Sequence, residues 1–410
     1  MATQASPAVG DILELEIERM SFGPAAVARY QIPGASKPVV VFVRGAAPQD
    51  VVRAKITKCS KNFWDAQAIE VLKPSPLRVT PPCSVFDQCG GCQWQHMSYD
   101  AQVSSKKDVL LHQIQRATQL DGKFLDSITT VHAAPNPLGY RTRIQARGDA
   151  KGLGFYQESS RQLIHVNECI VCHPKIREAW SQFLENKPLK QLSQNKMSRD
   201  DLDKGQFKVE WTLTESGDVL EAINREHAAL GFTQINPEQN EVMIRVVSEL
   251  ATSQGALQGN FLLDLYAGAG NLSKGLTRHF TNVICVEAYA PQWAKVHENQ
   301  DSLATSLAPG QTLIRERVES FLKAKHWQQW GFKGPDCIIA DPPRAGLEGT
   351  AAQIASLKAK RVVLVSCEPS TLARDLREFL PHYEMESIHL VDMFPQTYHI
   401  EAVVGLRLKG

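Results

Sequence analysis

From Phe232 onward the chain alternates short apolar runs with helical segments. Five of the runs have the composition of strands buried on both faces: FLLDLY (261–266), NVICVE (282–287), TLIRER (312–317), DCIIAD (336–341) and RVVLVS (361–366). The helical segments include LSKGLTRHF, PQWAKVHENQ and STLARDLREFL. Such strands belong in a parallel sheet that is covered by helices on both faces. The last two runs, YEMESIHLVDM and EAVVGLRL, have no helix between them and predict an antiparallel hairpin at the sheet edge.

The rest of the chain has a different pattern of predicted strands and helices. Residues 1–74 alternate β-like runs with Gly and Pro, which predicts a small N-terminal β-barrel, and a proline-rich stretch after it predicts a linker. Residues 75–231 mix strands with a helical part near 98–127, and we expect a mixed α+β central domain. That helical part could pack on the C-terminal α/β domain, residues 232–410. Three domains agree with a length of 410 residues.

Composition excludes some classes of protein. Hydrophobic residues make up 43% of the chain, yet no run approaches the roughly 18 apolar residues of a membrane helix. The N-terminus lacks the apolar core of an export signal, so we expect a cytoplasmic protein. Nine cysteines in such a chain favour metal binding or catalysis over disulfides. The net charge of +1 does not by itself indicate a nucleic-acid partner, although the N-terminal region concentrates basic residues: Lys37, Arg44, Arg53, Lys55, Lys58 and Lys61.

A glycine loop follows the first strand of the α/β domain. The sequence runs from FLLDLY into Ala267-Gly268-Ala269-Gly270-Asn271, and Ser273 stands where a dinucleotide fingerprint has its third glycine. The next strand ends in Glu287, whose carboxylate could accept hydrogen bonds from both hydroxyls of a ribose. The loop without the third glycine, together with this glutamate, favours S-adenosylmethionine over NAD. A tight turn and a surface glutamate would be the alternative.

Two later strands end in reactive residues. Asp341-Pro342-Pro343-Arg344 closes the fourth run and Cys367 follows the fifth, so both are expected at the same carboxyl edge as the glycine loop. A helix that begins just after Cys367 is expected to lower the thiol pKa. A thiolate that adds to carbon 6 of uracil makes carbon 5 nucleophilic toward a methyl donor, and a base must then remove the carbon 5 proton. Glu401 is a candidate base, although it could equally be a solvent-facing strand residue.

Several motifs occur in the order found in one family: Cys83-x5-Cys89-Gly-Gly-Cys92, Gln234-x-Asn236, Asp264-Leu-Tyr266-x-Gly268-x-Gly270-Asn271, Asp341-Pro-Pro-Arg344-x-Gly346, Ser366-Cys367-x-Pro369-x-Thr371-Leu-Ala-Arg374-Asp375 and His399-x-Glu401. The chain resembles the RNA uracil-C5 methyltransferases over nearly its whole length. It is most similar to the bacterial 23S rRNA type, which carries an N-terminal TRAM barrel and an iron–sulfur cluster.

The resemblance implies roles for particular residues. Cys367 would be the nucleophile and Glu401 the base that removes the carbon 5 proton. The S-adenosylmethionine and target-base site would be lined by Gln234, Tyr266, Gly268, Gly270, Asn271, Glu287 and Asp341. A 4Fe–4S cluster would be held by Cys83, Cys89, Cys92 and Cys169. Spacing alone would equally permit zinc.

Three details qualify the resemblance. Cys169 is preferred over Cys172 as the fourth cluster ligand because the family has a cysteine followed by proline five positions on, here Pro174. Arg317 stands where relatives often have an amide or acidic contact to the cofactor, and Glu368 stands where many have Asn. Both substitutions put a contact of the family in question.

The expected activity is therefore 5-methyluridine formation in structured RNA, foremost 23S rRNA, by a monomer without an obligate protein partner. The same chemistry on tRNA is the first alternative. An amino-methyltransferase would need an aromatic residue where Arg344 stands, and a radical methylthiotransferase would need a Cys-x3-Cys-x2-Cys motif. A non-catalytic RNA-binding protein would be expected to lack the nucleophile or the base, and neither is missing.

Overall fold

The structure is a computed structural model, and it describes residues 7–194, 205–224, 234–253, 259–288, 304–306 and 310–410. Contacts between residues divide the chain into two compact units. The first comprises Met1–Val109, Asn136–Arg225 and Phe394–His399, and the second comprises Leu110–Pro135, Glu226–Met393 and Ile400–Gly410. No described helix is both long and apolar enough to cross a membrane.

The N-terminal part of the first unit is a closed five-stranded barrel, which confirms the predicted architecture there. Its strands are β1 (Ile12–Met20), β2 (Ala25–Tyr30), β3 (Val39–Arg44), β4 (Val51–Cys59) and β5 (Phe63–Lys73), in the order β1-β2-β3-β5-β4. Pairing is antiparallel except between β3 and β5, and β4 closes the barrel on β1. The alternation that predicted the barrel is visible in β1, where Leu13, Leu15 and Ile17 point into the core and the intervening residues are exposed.

The segment after the barrel contains α1 (Tyr99–Thr118), α2 (Gly122–Ser127) and β6 (Thr129–His132). A second sheet of the first unit then contains β7 (Arg143–Gly148), β8 (Leu153–Tyr156), β9 (Leu163–His165), β10 (Phe207–Leu213) and β11 (Val219–Ile223), in the order β11-β10-β7-β8-β9. Helix α3 (Pro174–Asn186) follows β9, and α4 (Leu189–Gln194) follows α3. An aromatic core joins α3 to this sheet, because the rings of Trp180 and Phe183 pack against Trp211 of β10, the Phe183 ring edge-on.

The second unit is built on a nine-stranded sheet in the order β14-β15-β13-β12-β16-β17-β19-β18-β6. After α5 (Pro237–Thr252), its strands are β12 (Gly259–Leu265), β13 (Phe280–Glu287), β14 (Ala304–Ser306), β15 (Gln311–Arg315), β16 (Cys337–Ala340), β17 (Arg361–Ser366), β18 (Tyr383–Val391) and β19 (Glu401–Leu408). Its later helices are α6 (Val318–Ala324), α7 (Ala351–Ser356) and α8 (Pro369–Phe379). The central strands β15, β13, β12, β16 and β17 are parallel, as predicted, and the fold is Rossmann-like.

Two sequence expectations need correction in this sheet. Strands β18 and β19 form the predicted antiparallel hairpin, but they do not lie at the edge, because β6 pairs in parallel with β18 outside them. The predicted helix LSKGLTRHF is only a short 3-10 helix, Lys274–Arg278. The predicted helix PQWAKVHENQ lies outside the described residues.

Candidate active site

The carboxyl ends of the parallel strands carry the predicted site residues. Strand β12 leads into the glycine loop, β13 ends at Glu287, and β16 leads into Asp341. Cys367 directly follows β17. Strand β19 runs in the opposite direction beside β17, with Ala402 opposite Ser366, so Glu401 begins β19 at the same edge where β17 leads into Cys367. Parallel order and one antiparallel neighbour thus bring the predicted nucleophile and base together.

The glycine loop adopts a backbone that requires its glycines. Tyr266, Gly268 and Gly270 have φ angles of 60°, 55° and 72°, in the left-handed region that glycine enters without a steric penalty. The Gly268 N–H donates to Glu287 Oε2 at 3.1 Å, and the Gly270 N–H donates to the Ala267 carbonyl at 2.8 Å. Glu287 therefore holds the loop as well as standing at the predicted ribose position.

The other predicted cofactor residues have defined neighbours. The Asn271 amide donates to Asn240 Oδ1 at 2.9 Å, and the Tyr266 hydroxyl lies 3.4 Å from Thr350 Oγ1. Gln234 is half-buried just before α5. Asn236 is the N-cap of α5, since its side chain accepts from the Gln239 N–H.

A buried polar network under the loop was missed by the sequence analysis. Ser273 Oγ donates to Asp264 Oδ2 at 2.5 Å, and Gln311 Nε2 donates to Ser273 Oγ at 2.9 Å and to the Gly270 carbonyl at 3.1 Å. Burial, together with the charges of Asp341 and Glu287, raises the pKa of Asp264 to about 7, against the opposing hydrogen bond from Ser273. Ser273 thus replaces a glycine with a hydroxyl that serves a buried carboxylate. An aspartate inside the apolar run FLLDLY was the available signal.

Cys367, Asp341 and Glu401 influence one another electrostatically. Burial, followed by the charges of Glu401 and Asp341, raises the pKa of the Cys367 thiol to about 11, and Arg344 opposes the shift. Burial raises the pKa of Asp341 to about 6. Burial and the neighbouring Asp341 raise the pKa of Glu401 well above its usual range. The expectation that the start of α8 lowers the thiol pKa is therefore wrong for the protein alone, since desolvation and two carboxylates outweigh the helix terminus.

The two departures from the family pattern also have defined places. Arg317 is largely exposed at the N-terminus of α6, and its guanidinium lies 3.5 Å from Glu319. Glu368 is the N-cap residue of α8, where its side chain makes no capping hydrogen bond and instead accepts from Ser370 Oγ at 2.7 Å.

The four cysteines predicted to bind a cluster surround one cavity of the first unit. Cys83, Cys89, Cys92 and Cys169 all line a space of about 220 Å³, whereas Cys172 is buried and does not line it. The loop that carries three of them approaches β8 closely, because the Gly90 N–H donates to the Tyr156 carbonyl at 3.0 Å and a Cβ on Gly90 would lie 2.8 Å from that oxygen. Within the described ranges no group of three or more His, Cys, Asp or Glu residues that could hold a metal ion was found.

The protonation of these thiols differs from one to the next. Burial raises the pKa of Cys83 and Cys89, and raises the pKa of Cys92 to about 12. A hydrogen bond from the Cys172 thiol lowers the pKa of Cys169 to about 7, with a further contribution from Arg141. After burial, the charge of the Cys169 thiolate also contributes to the raised pKa of each of the other three.

Comparison with known proteins identifies relatives over the full length of the chain. A family model described as tRNA (Uracil-5-)-methyltransferase matches residues 159–409. An "Uncharacterized RNA methyltransferase" of Bdellovibrio bacteriovorus is 30% identical over 98% of this chain and 97% of its own, and another of Halalkalibacterium halodurans is 30% identical over the whole of both chains. The crystal structure of the Pyrococcus abyssi tRNA (uracil-54, C5)-methyltransferase with S-adenosyl-L-homocysteine has the same fold, with a TM-score of 0.63 at 20% identity over 96% of this chain and all of that one. With the family model covering more than half of its residues, the chain belongs to the tRNA (uracil-5-)-methyltransferase family of S-adenosylmethionine-dependent RNA methyltransferases.

Proposed function

We propose that this enzyme methylates carbon 5 of uracil in structured RNA through a covalent Cys367–uracil adduct. The observation that carries the proposal is the register of β17 with β19, which sets Cys367 and Glu401 side by side at the edge of the sheet that also holds Asp341 and the glycine loop. The reaction requires a nucleophile, a base and a bound methyl donor. A thiol, a carboxyl group and the glycine loop of the proposed cofactor site lie at this one edge.

The proposed cofactor site suits a cation. Three carboxyl groups surround the loop, since the charges of Asp341 and Glu287 both act on Asp264. S-adenosylmethionine carries a sulfonium and an ammonium group, which such carboxylates would stabilise. Glu287 and the glycine loop would hold its nucleoside part, with Gln234, Tyr266, Asn271 and Asp341 around it. When bound, S-adenosylmethionine supplies the methyl group.

In the proposed mechanism Cys367 Sγ, after losing its proton, forms a bond to carbon 6 of uracil, and the electron pair of the C5–C6 double bond moves onto the ring as an enolate. Carbon 5 would then take the methyl group from the bound cofactor, whose sulfur–methyl bond would break to leave S-adenosyl-L-homocysteine. Glu401 removes the remaining carbon 5 proton, the C5–C6 double bond forms again, and sulfur leaves carbon 6 as a thiolate. The raised pKa of Glu401 suits this step, because a carboxylate of low basicity would be a poor acceptor for a carbon-bound proton.

We further propose that Cys83, Cys89, Cys92 and Cys169 hold a 4Fe–4S cluster. Four thiols around one cavity fit the ligand set of a cubane, and the nearby Arg141 complements a negatively charged cluster. The choice of a cluster over zinc rests on the family resemblance, because four thiols could ligate either. The cluster would fasten the Cys83–Cys92 loop to the Cys169 turn.

For the RNA, we propose 23S rRNA as substrate, because the N-terminal barrel together with the four-cysteine cavity matches the 23S rRNA type that the sequence resembles. The tRNA alternative is kept because the family model and the Pyrococcus abyssi structure are both described by a tRNA activity. Mapping of 5-methyluridine in rRNA and tRNA from a strain without this protein separates the two. Loss confined to tRNA would exclude the rRNA assignment.

The covalent mechanism is tested with two substitutions. Cys367→Ala should abolish methylation and adduct formation while S-adenosylmethionine still binds, because the thiolate is needed only to activate the ring. Glu401→Gln should allow attack and methyl transfer but block proton removal, so a methylated protein–RNA complex should accumulate as a slow band on a denaturing gel. Cys59→Ala, an exposed cysteine of the barrel, is the control and should behave as wild type. A Cys367→Ala enzyme that still methylates uridine would exclude the mechanism.

A further inference from the structure

The loop after Asp341 is fastened to helix α8 at its backbone. We call residues 341–347 the Pro-Pro loop. Thr371 Oγ1 lies 3.2 Å from the Arg344 carbonyl and 3.1 Å from the Glu368 carbonyl, so its one proton is shared between the loop and the helix. Arg374 Nη2 donates to the Ala345 carbonyl at 2.8 Å. Both donors are side chains of α8, one turn apart, so they hold two successive carbonyls of the loop. Side chains that bind backbone groups fix the path of a loop whatever its own side chains do.

The third contact of this set involves a buried carboxylate. Asp375 is 4% exposed. Its Oδ2 accepts from the Leu347 N–H at 2.7 Å, and its Oδ1 accepts from Arg374 Nε and Nη2 at 2.9 and 2.8 Å. Each oxygen therefore has a charged or backbone donor, which is the condition for keeping an ionised carboxylate out of water.

Gly346 shows how closely the loop approaches the helix. Its φ of +75° lies in the left-handed region, and a Cβ built there would lie 2.5 Å from Asp375 Oδ2 and 2.9 Å from Thr371 Cβ. Gly349, three residues further on, has a φ of +77°, but a Cβ built on it would have no neighbouring atom within 4 Å. The two glycines therefore impose equal backbone strain on a substituting alanine, but only at Gly346 would the alanine also separate the loop from α8.

These contacts connect the two chemically active segments of the sheet edge. Helix α8 begins at Pro369, two residues after Cys367, and the Pro-Pro loop carries Arg344, whose charge acts on the Cys367 thiol. Asp341 is held separately, because its N–H donates to the Leu265 carbonyl at 3.3 Å. Release of the loop from α8 would therefore displace Arg344 more than Asp341.

We propose that Thr371, Arg374 and Asp375, which pack closely on Gly346, form a clamp that fixes the backbone of the Pro-Pro loop, and with it Arg344, to the helix that begins just after the nucleophile Cys367. They are positioning residues, since they act through the loop. The role of Cys367 as nucleophile rests on the proposed function. The clamp concerns only the Pro-Pro loop and α8, so it can be tested without RNA. Gly346, Thr371, Arg374 and Asp375 are all members of the motifs that the sequence analysis singled out without a role.

The test measures the local charge at Cys367 through two alkylating reagents. Iodoacetate is an anion and iodoacetamide is neutral, so the ratio of their rates at Cys367, followed by mass spectrometry of its peptide at pH 9, reports nearby positive charge and is insensitive to access, which affects both reagents alike. Gly346→Ala and Thr371→Val change no charge. We expect each to lower the iodoacetate-to-iodoacetamide ratio by about threefold, which corresponds to roughly 0.65 kcal/mol of lost interaction.

Two further variants make the outcome decisive. Arg344→Met sets the ratio for complete loss of the charge, and Gly349→Ala is the matched control with the same strain and should keep the wild-type ratio. An unchanged ratio in Gly346→Ala and Thr371→Val would overturn the clamp, and so would an unchanged ratio in Arg344→Met. Thr371→Val is the conservative variant in case Gly346→Ala unfolds. If the ratios fall as expected but Cys367→Ala still methylates uridine, the clamp stands and the proposed mechanism does not.

Discussion

The thiol of Cys367 is two residues from the first turn of α8, yet its pKa is raised to about 11 by burial and by the carboxylates of Glu401 and Asp341. Near neutral pH the protein alone therefore holds a protonated thiol. The thiolate fraction increases about tenfold with each pH unit up to the raised pKa, so reactivity should still be climbing at pH 10. Loss of a neighbouring negative charge should lower the thiol pKa and increase the reactivity.

This gives a prediction for the single residue Glu401. Glu401→Gln should accelerate alkylation of Cys367 by iodoacetamide at pH 9 by about threefold or more, because half a pKa unit of relief changes the thiolate fraction about threefold. The rate is read from the Cys367 peptide by mass spectrometry. Glu384→Gln is the control. It removes an exposed carboxylate of β18 that pairs with Arg407, at the end of β19 opposite to Glu401, and should leave the rate unchanged. A Glu401→Gln rate equal to that of the control would show that the carboxylate does not act on the thiol.

At this scale the sequence predicted the identity of the edge residues but not the network that supports them. Cys367, Asp341 and Glu287 could be placed because each ends or directly follows a strand whose direction follows from the βαβ order. The roles of Ser273 and Gln311 could not, because they depend on which side chains meet beneath the loop. The sign of the Cys367 pKa shift was missed for the same reason, since desolvation depends on the whole surrounding fold.

At the scale of elements, the strands that were predicted best are those with a local signal. The parallel strands β12, β13, β16 and β17 each read as an apolar run, and hairpin β18–β19 follows from the lack of a helix between its strands. Strand β6 could not be predicted as their neighbour, because it is four residues long and pairs with β18 across more than two hundred residues of chain. The error about the sheet edge comes from this long-range pairing alone.

The Cys83–Cys92 loop and the Cys169 turn provide a prediction about metal content. Anaerobically purified protein should be brown, with about four iron and four sulfide per chain, since four thiolates ligate a cubane. Cys169→Ala should lose the absorption and the iron, whereas Cys172→Ala should retain both, because only Cys169 lines the cavity. Cys59→Ala controls for loss of any thiol. Stoichiometric zinc in a colourless protein would contradict the cluster, and retention of iron in Cys169→Ala would contradict the choice of fourth ligand.

At the scale of the whole molecule, the contact-based units are discontinuous in sequence. Residues Phe394–His399 lie between β18 and β19 but belong to the first unit, where Gln396 exchanges hydrogen bonds with Gln102 and Lys106 donates to the Phe394 carbonyl. Changes in composition and periodicity mark only contiguous boundaries, such as the predicted ones after residues 74 and 231. The predicted division into three domains therefore stays a prediction. A division into contiguous domains cannot describe a unit that is made of separate stretches of the chain.

The barrel is closely connected to the segment that follows it in the first unit. Asp50 is fully buried and accepts from Arg78 and from the Ser75 N–H, and the Trp94 indole donates to the Gly23 carbonyl at 3.2 Å. Deletion of the barrel would leave these buried groups without partners, at a cost of about 1 to 3 kcal/mol each. An RNA-binding role for the barrel is therefore better tested by removing surface charge than by truncation.

We predict that the barrel contributes RNA affinity through phosphate contacts and takes no part in the chemistry. Lys55, Lys58 and Lys61 are exposed on the barrel, so the triple substitution to Gln should leave the fold intact. If all three contact phosphates, the slope of log affinity against log salt should become less steep by about 2 to 3, because each neutralised phosphate contributes 0.7 to 0.9. S-adenosylmethionine affinity should not change. Lys323→Gln on α6, an exposed lysine outside the barrel, is the control for loss of a positive charge. A triple variant that binds RNA with the wild-type affinity at every salt concentration would assign the barrel another role.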